Sequence, residues 1–397
     1  MPKSILRPAL ILGLMSCIGP FAIDMYLPAM PDIGVHLGAS VQAMQGTITA
    51  YFLAFGLGQL LYGPWADQAG RKPPLYAGIV VFCIGAAICA WAPTVEALTL
   101  GRAVQGFGGA ALMVVPRAII RDGFTGNEAT RLMAAIMLVF SVSPMLAPLA
   151  GSGLLLISTW RMIFGVLLIA ALLSLLLLRF AQEETLPAAQ RQRFHLGQTF
   201  AAAGKLMRDR GFVTLTFLGA FGMGSFFVFL AAASFVYTNT FGLSPTGFSL
   251  AFAANAIAFI GASQLAGPLG LRFGALRLMR IATAVFALAT CIMFMLSITT
   301  GVTLAVCIIG LGIGNAGLGM VIPTAMVMAL DDHGDIAGLA SSLGGTLQML
   351  TGGVIVALMG PFFSNDPAVM LGVIAICALA ALLLSRLTRA SRQAAAA

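Results

Sequence analysis

The chain has 397 residues, of which 60% are hydrophobic and only 9% are charged. Soluble domains carry about 25% charged residues, so this composition excludes a soluble globular protein and favours a chain that crosses a membrane repeatedly. The formal net charge of +8 also fits a nucleic-acid-binding protein, an alternative that depends on where the basic residues lie.

Twelve apolar runs follow one another along the chain. A helix that crosses a hydrocarbon core of about 30 Å needs roughly 20 apolar residues, and helices are required because lipid offers no partners to backbone N–H and C=O groups. The runs are residues 7–27, 41–62, 74–92, 96–116, 132–157, 160–180, 212–237, 247–269, 277–299, 302–327, 335–358 and 367–386. The sequence therefore predicts an all-α integral membrane protein with twelve transmembrane helices.

The basic residues predict the orientation, because cytoplasmic loops of membrane proteins are enriched in Lys and Arg. With both termini inside, every basic residue except Arg102 and Arg161 falls in a cytoplasmic segment, and the outer loops hold none. These two lie within or at the edge of a predicted span. The positive charge therefore indicates membrane topology, and no nucleic-acid partner is expected.

The polar and basic stretch 181–211 contains a short amphipathic piece and separates six predicted spans from six. Three segments of the first half reappear at equivalent span ends of the second. The pairs are GPWADQAGR (63–71) with GPLGLRFGA (267–275), VVPRA (114–118) with VIPTA (321–325), and LLLLR (175–179) with LLLSR (382–386). This repeat predicts two pseudo-symmetric six-helix bundles around a central cavity, at 1–180 and 212–397, joined by a cytoplasmic linker at 181–211.

No cluster typical of catalysis or of metal binding occurs in the sequence. The six cysteines all fall inside apolar runs and match no metal or redox spacing, so they are expected to be reduced hydrophobic residues. We therefore expect neither an enzyme nor a metal site.

Three motifs lie after the second span and within the fourth and fifth. The pattern Gly-x-x-x-Asp-x-x-Gly-Arg-Lys is formed by Gly63, Asp67, Gly70, Arg71 and Lys72. The pattern Leu-x-x-x-Arg-x-x-Gln-Gly-x-Gly is formed by Leu98, Arg102, Gln105, Gly106 and Gly108. The place of a third pattern, Gly-Pro-x-x-Gly-Gly, is taken by Ala147, Pro148, Gly151 and Ser152.

These motifs, with DMYLPAMP at 24–31 and SPMLAP at 143–148, resemble those of the major facilitator superfamily, specifically its twelve-span drug:proton antiporters of the Bcr/CflA type. The resemblance covers the whole chain and departs from the antiporter pattern at Ala147 and Ser152. It implies a monomeric exporter of small amphipathic drugs or antibiotics in the bacterial inner membrane, driven by the proton gradient without a cofactor. The alternative keeps the fold but changes the cargo to a metabolite, a sugar or a siderophore.

Asp24 is the most informative residue of the first span. A carboxylate at the bilayer centre costs roughly 2.5–3.5 kcal/mol on insertion scales if it faces lipid, so Asp24 is expected to face a cavity or a partner. Arg102 is expected at a similar depth, because the first span runs outward and the fourth inward. The hypothesis is that Asp24 exchanges a proton and that Arg102 biases its protonation, directly or through a substrate. The alternatives are a static pair and an aspartate at the outer interface.

Polar side chains within the spans or at their edges are candidates for contact with a substrate, and the seventh span is rich in phenylalanine. The candidates are Tyr26, Tyr51, Gln105, Phe221, Asn255, Asn315 and Gln348. An aromatic surface with few fixed hydrogen-bond partners suits varied amphipathic molecules. The competing interpretation is packing for Phe221 and interhelical hydrogen bonding for Asn315 and Gln348.

The resemblance also implies a cytoplasmic gate. Asp67 is expected against the N-terminus of the eleventh span, where the helix dipole favours an anion, and Arg71 is expected to pair with Asp122. Gly63 and Gly70 are expected to allow close packing and a tight turn. The repeat in the second half lacks an aspartate at the position of Asp67, which favours a latch on one half over a simple topology signal.

In the fifth span, Pro144, Pro148 and Gly151 are expected to bend the helix and to provide a close-packing face. In antiporters of the family that the chain resembles, this motif is thought to seal the interface between the two halves. A simple helix kink is the alternative.

Overall fold

The structure, a computed structural model, is helical throughout its regular elements in the residues it describes, which are 6–124, 126–191, 196–331, 333, 336–363 and 366–388. The chain forms two compact units, Met1–His195 and Leu196–Ala397. The division falls inside the predicted linker 181–211. The amphipathic piece of that linker forms the first helix of the second unit.

The first unit contains seven α-helices in its described residues. They are α1 (Leu6–Asp24), α2 (Met30–Leu37), α3 (Val41–Ala69), α4 (Lys72–Ala90), α5 (Val95–Gly123), α6 (Gly126–Ile157) and α7 (Arg161–Phe180). Ser40 and Thr94 begin α3 and α5 by accepting hydrogen bonds from backbone N–H groups three residues later, at 3.1 and 3.3 Å. These helices therefore start where a polar cap precedes an apolar run.

The second unit also contains seven α-helices in the part that is described. They are α8 (Leu196–Arg208), α9 (Arg210–Phe235), α10 (Pro245–Phe273), α11 (Ala275–Thr299), α12 (Leu304–Asp331), α13 (Ala337–Met359) and α14 (Pro367–Leu387). The side chains of Asp209, Ser244 and Asp366 cap α9, α10 and α14 by accepting hydrogen bonds from their first turns.

Twelve of the described helices have at least 19 residues, and each coincides with a predicted span, so the predicted order of helices is confirmed. By length and composition, ten stretches of the described residues qualify to cross a membrane. The helix α3 is not among them, since polar side chains such as Gln45, Thr47 and Gln59, all buried, lower its hydropathy. The side chains of α6 are described without a gap from Val142 onward, and the stretch Val142–Ile157 is apolar.

The first span is longer and more broken than the sequence predicted. The helix α1 ends at Asp24, a 3₁₀ turn follows at Leu27–Ala29, and α2 continues the path. Pro28 and Pro31 account for the break, because proline has no N–H to donate and its ring clashes with the preceding turn. The stretch Leu10–Leu37 still qualifies as one span, so Asp24 lies at a break within the span.

Close helix packing in the first unit brings α5 against α3 and α4, and α6 against α1. Where α6 passes the end of α1, a Cβ added at Gly151 would collide with the backbone carbonyl of Met25. Pro144 and Pro148 lie in the same helix, two turns and one turn earlier. Gly151 therefore lies on a close-packed face of α6.

Replacing Gly151 with alanine is expected to lower the unfolding temperature of the detergent-purified protein, because the methyl group must push α6 away from Met25. Overpacking of this kind typically costs about 1–3 kcal/mol. The matched control is Gly153→Ala in the same helix, where nothing lies within 4 Å of an added Cβ and alanine is the better helix former. Equal unfolding temperatures for the two variants would contradict the close packing.

Candidate functional site

A cluster of polar and aromatic side chains lies where α1, α3 and α5 meet in the first unit. Arg102 of α5 is fully buried. Its guanidinium lies over the rings of Tyr26 and Tyr51, with Cζ at 4.7 and 4.3 Å from the two ring centroids. Desolvated cation–π contacts contribute about 2 kcal/mol or more, so the two rings replace part of the hydration that Arg102 has lost.

Hydrogen bonds satisfy one side of the Arg102 guanidinium. Its Nη1 donates to the carbonyl oxygen of Ala22 at 2.9 Å and to Oε1 of Gln105 at 2.6 Å. Its Nε and Nη2, and Nε2 of Gln105, have no hydrogen-bond partner among the described residues. Donors buried in this way favour an acceptor that approaches them, because leaving a buried charge without partners is costly.

Asp24 ends α1 two residues after Ala22, and it is only 5% exposed. It forms no ion pair within the part of the chain that the structure describes. The direct pair with Arg102 is therefore not formed in this structure, and bridging through a substrate stays a prediction. A buried carboxyl group that no cation fixes is a candidate for binding and releasing a proton.

The two tyrosines around Arg102 are held by their hydroxyl groups. The Tyr26 Oη and the Thr47 Oγ1 are hydrogen-bonded at 2.7 Å, and the Tyr51 Oη donates to the carbonyl oxygen of Gly19 at 3.2 Å. Both rings therefore belong to a fixed frame around the guanidinium. Their contact with a substrate stays a prediction.

In the second unit, the structure brings Asn255 and Asn315 together. The Asn315 Nδ2 donates to Oδ1 of Asn255 at 3.4 Å, and the Asn255 Nδ2 donates to the carbonyl oxygen of Ala251 at 3.2 Å. Both side chains are buried. The pair links α10 and α12, as expected of polar residues that hold membrane helices together.

The other two candidates of the second unit lie elsewhere. Phe221 packs against an apolar cluster that includes Leu218. Gln348 lines a cavity of about 10 Å³ together with Thr216 and Ser341. Ligand pockets typically have about 300–1,000 Å³, so in this form the cavity is too small for a drug-sized molecule.

At the turn between α3 and α4, Arg71 joins two carboxylates. Its Nε and Nη2 donate to Oδ2 and Oδ1 of Asp122 at 2.6 and 3.0 Å, and its Nη1 donates to Oδ1 of Asp67 at 2.5 Å. Burial opposes the charge, but the two carboxylates raise the pKa of Arg71 above its usual value. The side chain of Asp122 is 17% exposed and that of Asp67 is 54% exposed, so the bidentate pair with Asp122 is the stronger one.

The two glycines of this motif have different environments. Gly70 ends α3 with a φ of +96°, a conformation that side chains rarely adopt, so it fits the predicted tight turn. Gly63 lies inside α3, next to Pro64, because the helix continues to its C-terminal residue Ala69. The role of Gly63 in close packing stays a prediction.

Glu184, which sequence reasoning missed, also contacts this turn. Its carboxylate accepts hydrogen bonds from the backbone N–H groups of Arg71 and Lys72 at 2.8 and 3.0 Å. Burial opposes ionisation, but these N–H groups and that of Leu186 hold the pKa of Glu184 below its usual range. No sequence pattern signals the contact, because it joins residues 113 positions apart.

Residues 12–357 match the family model described as the Major Facilitator Superfamily. An uncharacterised MFS-type transporter of Bacillus subtilis (strain 168), YdgK, is 35% identical over 94% of this chain and 92% of its own length. A bicyclomycin resistance protein homolog of Haemophilus influenzae is 31% identical over 93% of this chain and 92% of its own length. A chloramphenicol resistance protein of Pseudomonas aeruginosa is 29% identical over 90% of this chain and 85% of its own length.

The fold is similar to that of solved transporters. The crystal structure of a D-xylose-proton symporter superposes with a TM-score of 0.80, covering 98% of this chain and 99% of that chain at 17% identity. At this identity, the likeness concerns the fold alone. Since the family model matches most of the chain and relatives of 31–35% identity align over nearly all of it, the protein belongs to the Major Facilitator Superfamily.

Proposed function

We propose that the protein exports small amphipathic drugs or antibiotics in exchange for protons, by alternating access across the bacterial inner membrane. Membership in a transporter family supports transport, and the names of two relatives support drugs as the cargo. We also propose that both termini lie in the cytoplasm and that the protein is a monomer. The proton gradient supplies the energy for export.

The observation that carries the proposal is the placement of Asp24 and Arg102. Both side chains are buried in the first unit, and no ion pair joins them in the described residues. The protonation of a buried carboxyl group depends on desolvation and on nearby charge, and both change when water reaches the site from one side and then from the other. The free donors of Arg102 are then available to an acidic or carbonyl group that arrives.

The cluster of Asp67, Arg71 and Asp122 is proposed to latch the cytoplasmic side. Ion pairs at a partly exposed surface are strong enough to favour one state and weak enough to open in every cycle. The bidentate pair of Arg71 with Asp122 supplies most of this preference. The predicted contact of Asp67 with the N-terminus of the eleventh span would add to it.

Replacing Asp24 with asparagine keeps the size and polarity of the side chain but removes the exchangeable proton. Drug uptake into inverted vesicles, driven by an imposed pH gradient, is expected to fall to the level of vesicles without the protein. The matched control is Asp32→Asn, which removes an exposed carboxylate from α2 and is expected to leave uptake unchanged.

Two outcomes would contradict the proposed function, one for the proton carrier and one for the cargo. Gradient-driven uptake that persists in Asp24→Asn would exclude Asp24 as the proton carrier. Transport of a sugar or another metabolite, with no drug moved by the unaltered protein, would support the alternative cargo.

Replacing Asp122 with asparagine is expected to slow export more than replacing Asp67 with alanine, because the Asp122 carboxylate makes the bidentate, less exposed contact. An exposed pair contributes about 0–1 kcal/mol, so Asp67→Ala acting through Arg71 alone changes the export rate by at most about five-fold. A larger loss would indicate a second partner of Asp67, such as the eleventh span. Gln68→Ala, at the exposed neighbouring position, is the control.

If neither aspartate variant changed the export rate, the latch would be excluded. The motif would then act only as a signal for membrane topology.

A further inference from the structure

Residues 181–191, called the strap below, run from the end of α7 across the turn between α3 and α4. The strap contains one 3₁₀ turn, Ala188–Gln190. Leu186 is buried, and Lys72 donates a hydrogen bond from its Nζ to the carbonyl oxygen of Gln182 at 2.7 Å. This part of the predicted linker is therefore packed against the first unit.

Glu184 of the strap caps the N-terminus of α4. The N-cap residue of this helix, Arg71, has no side-chain cap hydrogen bond, and Pro73 and Pro74 have no N–H group to satisfy. The Glu184 Oε1 accepts from the N–H of Arg71 at 2.8 Å, and its Oε2 accepts from the N–H of Lys72 at 3.0 Å. A carboxylate at this place also interacts favourably with the helix dipole. One distant side chain therefore supplies the cap that α4 lacks locally.

Thr185, the next residue of the strap, contacts the other partner of the ion pair. Its Oγ1 donates to Oδ2 of Asp122 at 3.3 Å, and this Asp122 oxygen also accepts a hydrogen bond from Nε of Arg71 at 2.6 Å. At Gly70, an added Cβ would lie 2.7 Å from Oε2 of Glu184, so a glycine there leaves room for the strap. Two neighbouring strap residues thus hold both sides of one ion pair.

We propose that Glu184 and Thr185 are positioning residues for the Arg71–Asp122 ion pair, and that docking of the strap controls how often this pair opens. Glu184 fixes the backbone that carries the Arg71 side chain, while Thr185 orients the carboxylate of Asp122. The bidentate geometry of the pair depends on both. The effect on transport rests on the proposed latch function of this cluster, whereas the positioning itself does not.

The first test replaces Glu184 with glutamine, which keeps the size of the side chain and removes its charge. Spin labels at the exposed positions Gln68 and Gly123 report the distance between the ends of α3 and α5 in the full-length chain with its native cysteines replaced. The open population is expected to rise about ten-fold, the scale of one lost charge-assisted hydrogen bond. The matched control is Glu183→Gln, an exposed neighbour, which is expected to leave the distances unchanged.

Thr185→Val tests the second contact with a smaller change. It removes one hydroxyl group and is expected to increase the open population in the same direction but less than Glu184→Gln. If Glu184→Gln does not fold, Thr185→Val alone tests whether the strap positions the Arg71–Asp122 ion pair. Unchanged distances in the strap variants that fold would overturn the proposal.

A double-mutant cycle with Asp122→Asn separates positioning from a general structural role. If Glu184 acts through the ion pair, Glu184→Gln adds nothing to the label distances once Asp122→Asn has removed the pair. Effects that add in full would show that the two residues act independently and would overturn the positioning role.

Transport measurements distinguish this inference from the proposed function. In gradient-driven export, Glu184→Gln is expected to change the maximal rate and to leave the KM for the drug unaltered, because the strap's hydrogen bonds in the described residues reach no predicted substrate residue. A change in KM alone would overturn the proposal. If the unaltered protein exports no drug, the proposed function fails, and the label distances still decide the positioning role.

Discussion

A charge that is buried in an apolar environment needs partners from the protein itself, and Arg102 shows how the first unit meets this constraint. The carbonyl group of Ala22, the amide of Gln105 and the rings of Tyr26 and Tyr51 take the place of water around its guanidinium. These partners come from the end of α1, from α3 and from α5 itself. The cation therefore fixes how three helices meet, and the position of Asp24 at the end of α1 follows from that arrangement.

The two units differ in the chemistry that they bury. Among the described residues, the buried charged side chains are Asp24, Arg71 and Arg102, all in the first unit. The buried polar side chains of the second unit are hydroxyls and amides, such as Asn255 and Asn315. Neutral groups cost less to bury than charges, so the second unit can offer buried hydrogen bonds at a smaller cost than the first. The buried groups to which the proposal assigns proton exchange therefore lie in the first unit.

Run length was enough to predict the order of the helices, because each long helix must match the thickness of a membrane. It missed the break at Pro28, since counting apolar residues ignores the lost N–H of proline. It also did not show that α3 is less hydrophobic than the other spans. The buried Gln45 and Gln59 lower the hydropathy of α3, but they carry no charge and a count of charges does not register them. The motifs located Arg71 and Asp122 near one turn, but not Glu184, because that contact depends on where the chain returns after α7.

The two charged sites differ in how easily they can be broken. Removing a partner from a buried charge costs about 3–5 kcal/mol, which makes the surroundings of Arg102 a lasting feature of the first unit. Glu184 is exposed at the surface, where solvent screening keeps its charge-assisted hydrogen bonds near the low end of their usual range, at about 1.5 kcal/mol. A contact of that size opens readily at ambient temperature yet still biases a population. Because the partners of Arg102 cost more free energy to remove, they form a permanent frame around its guanidinium. The weaker contact at the turn that carries Arg71 can form and break reversibly.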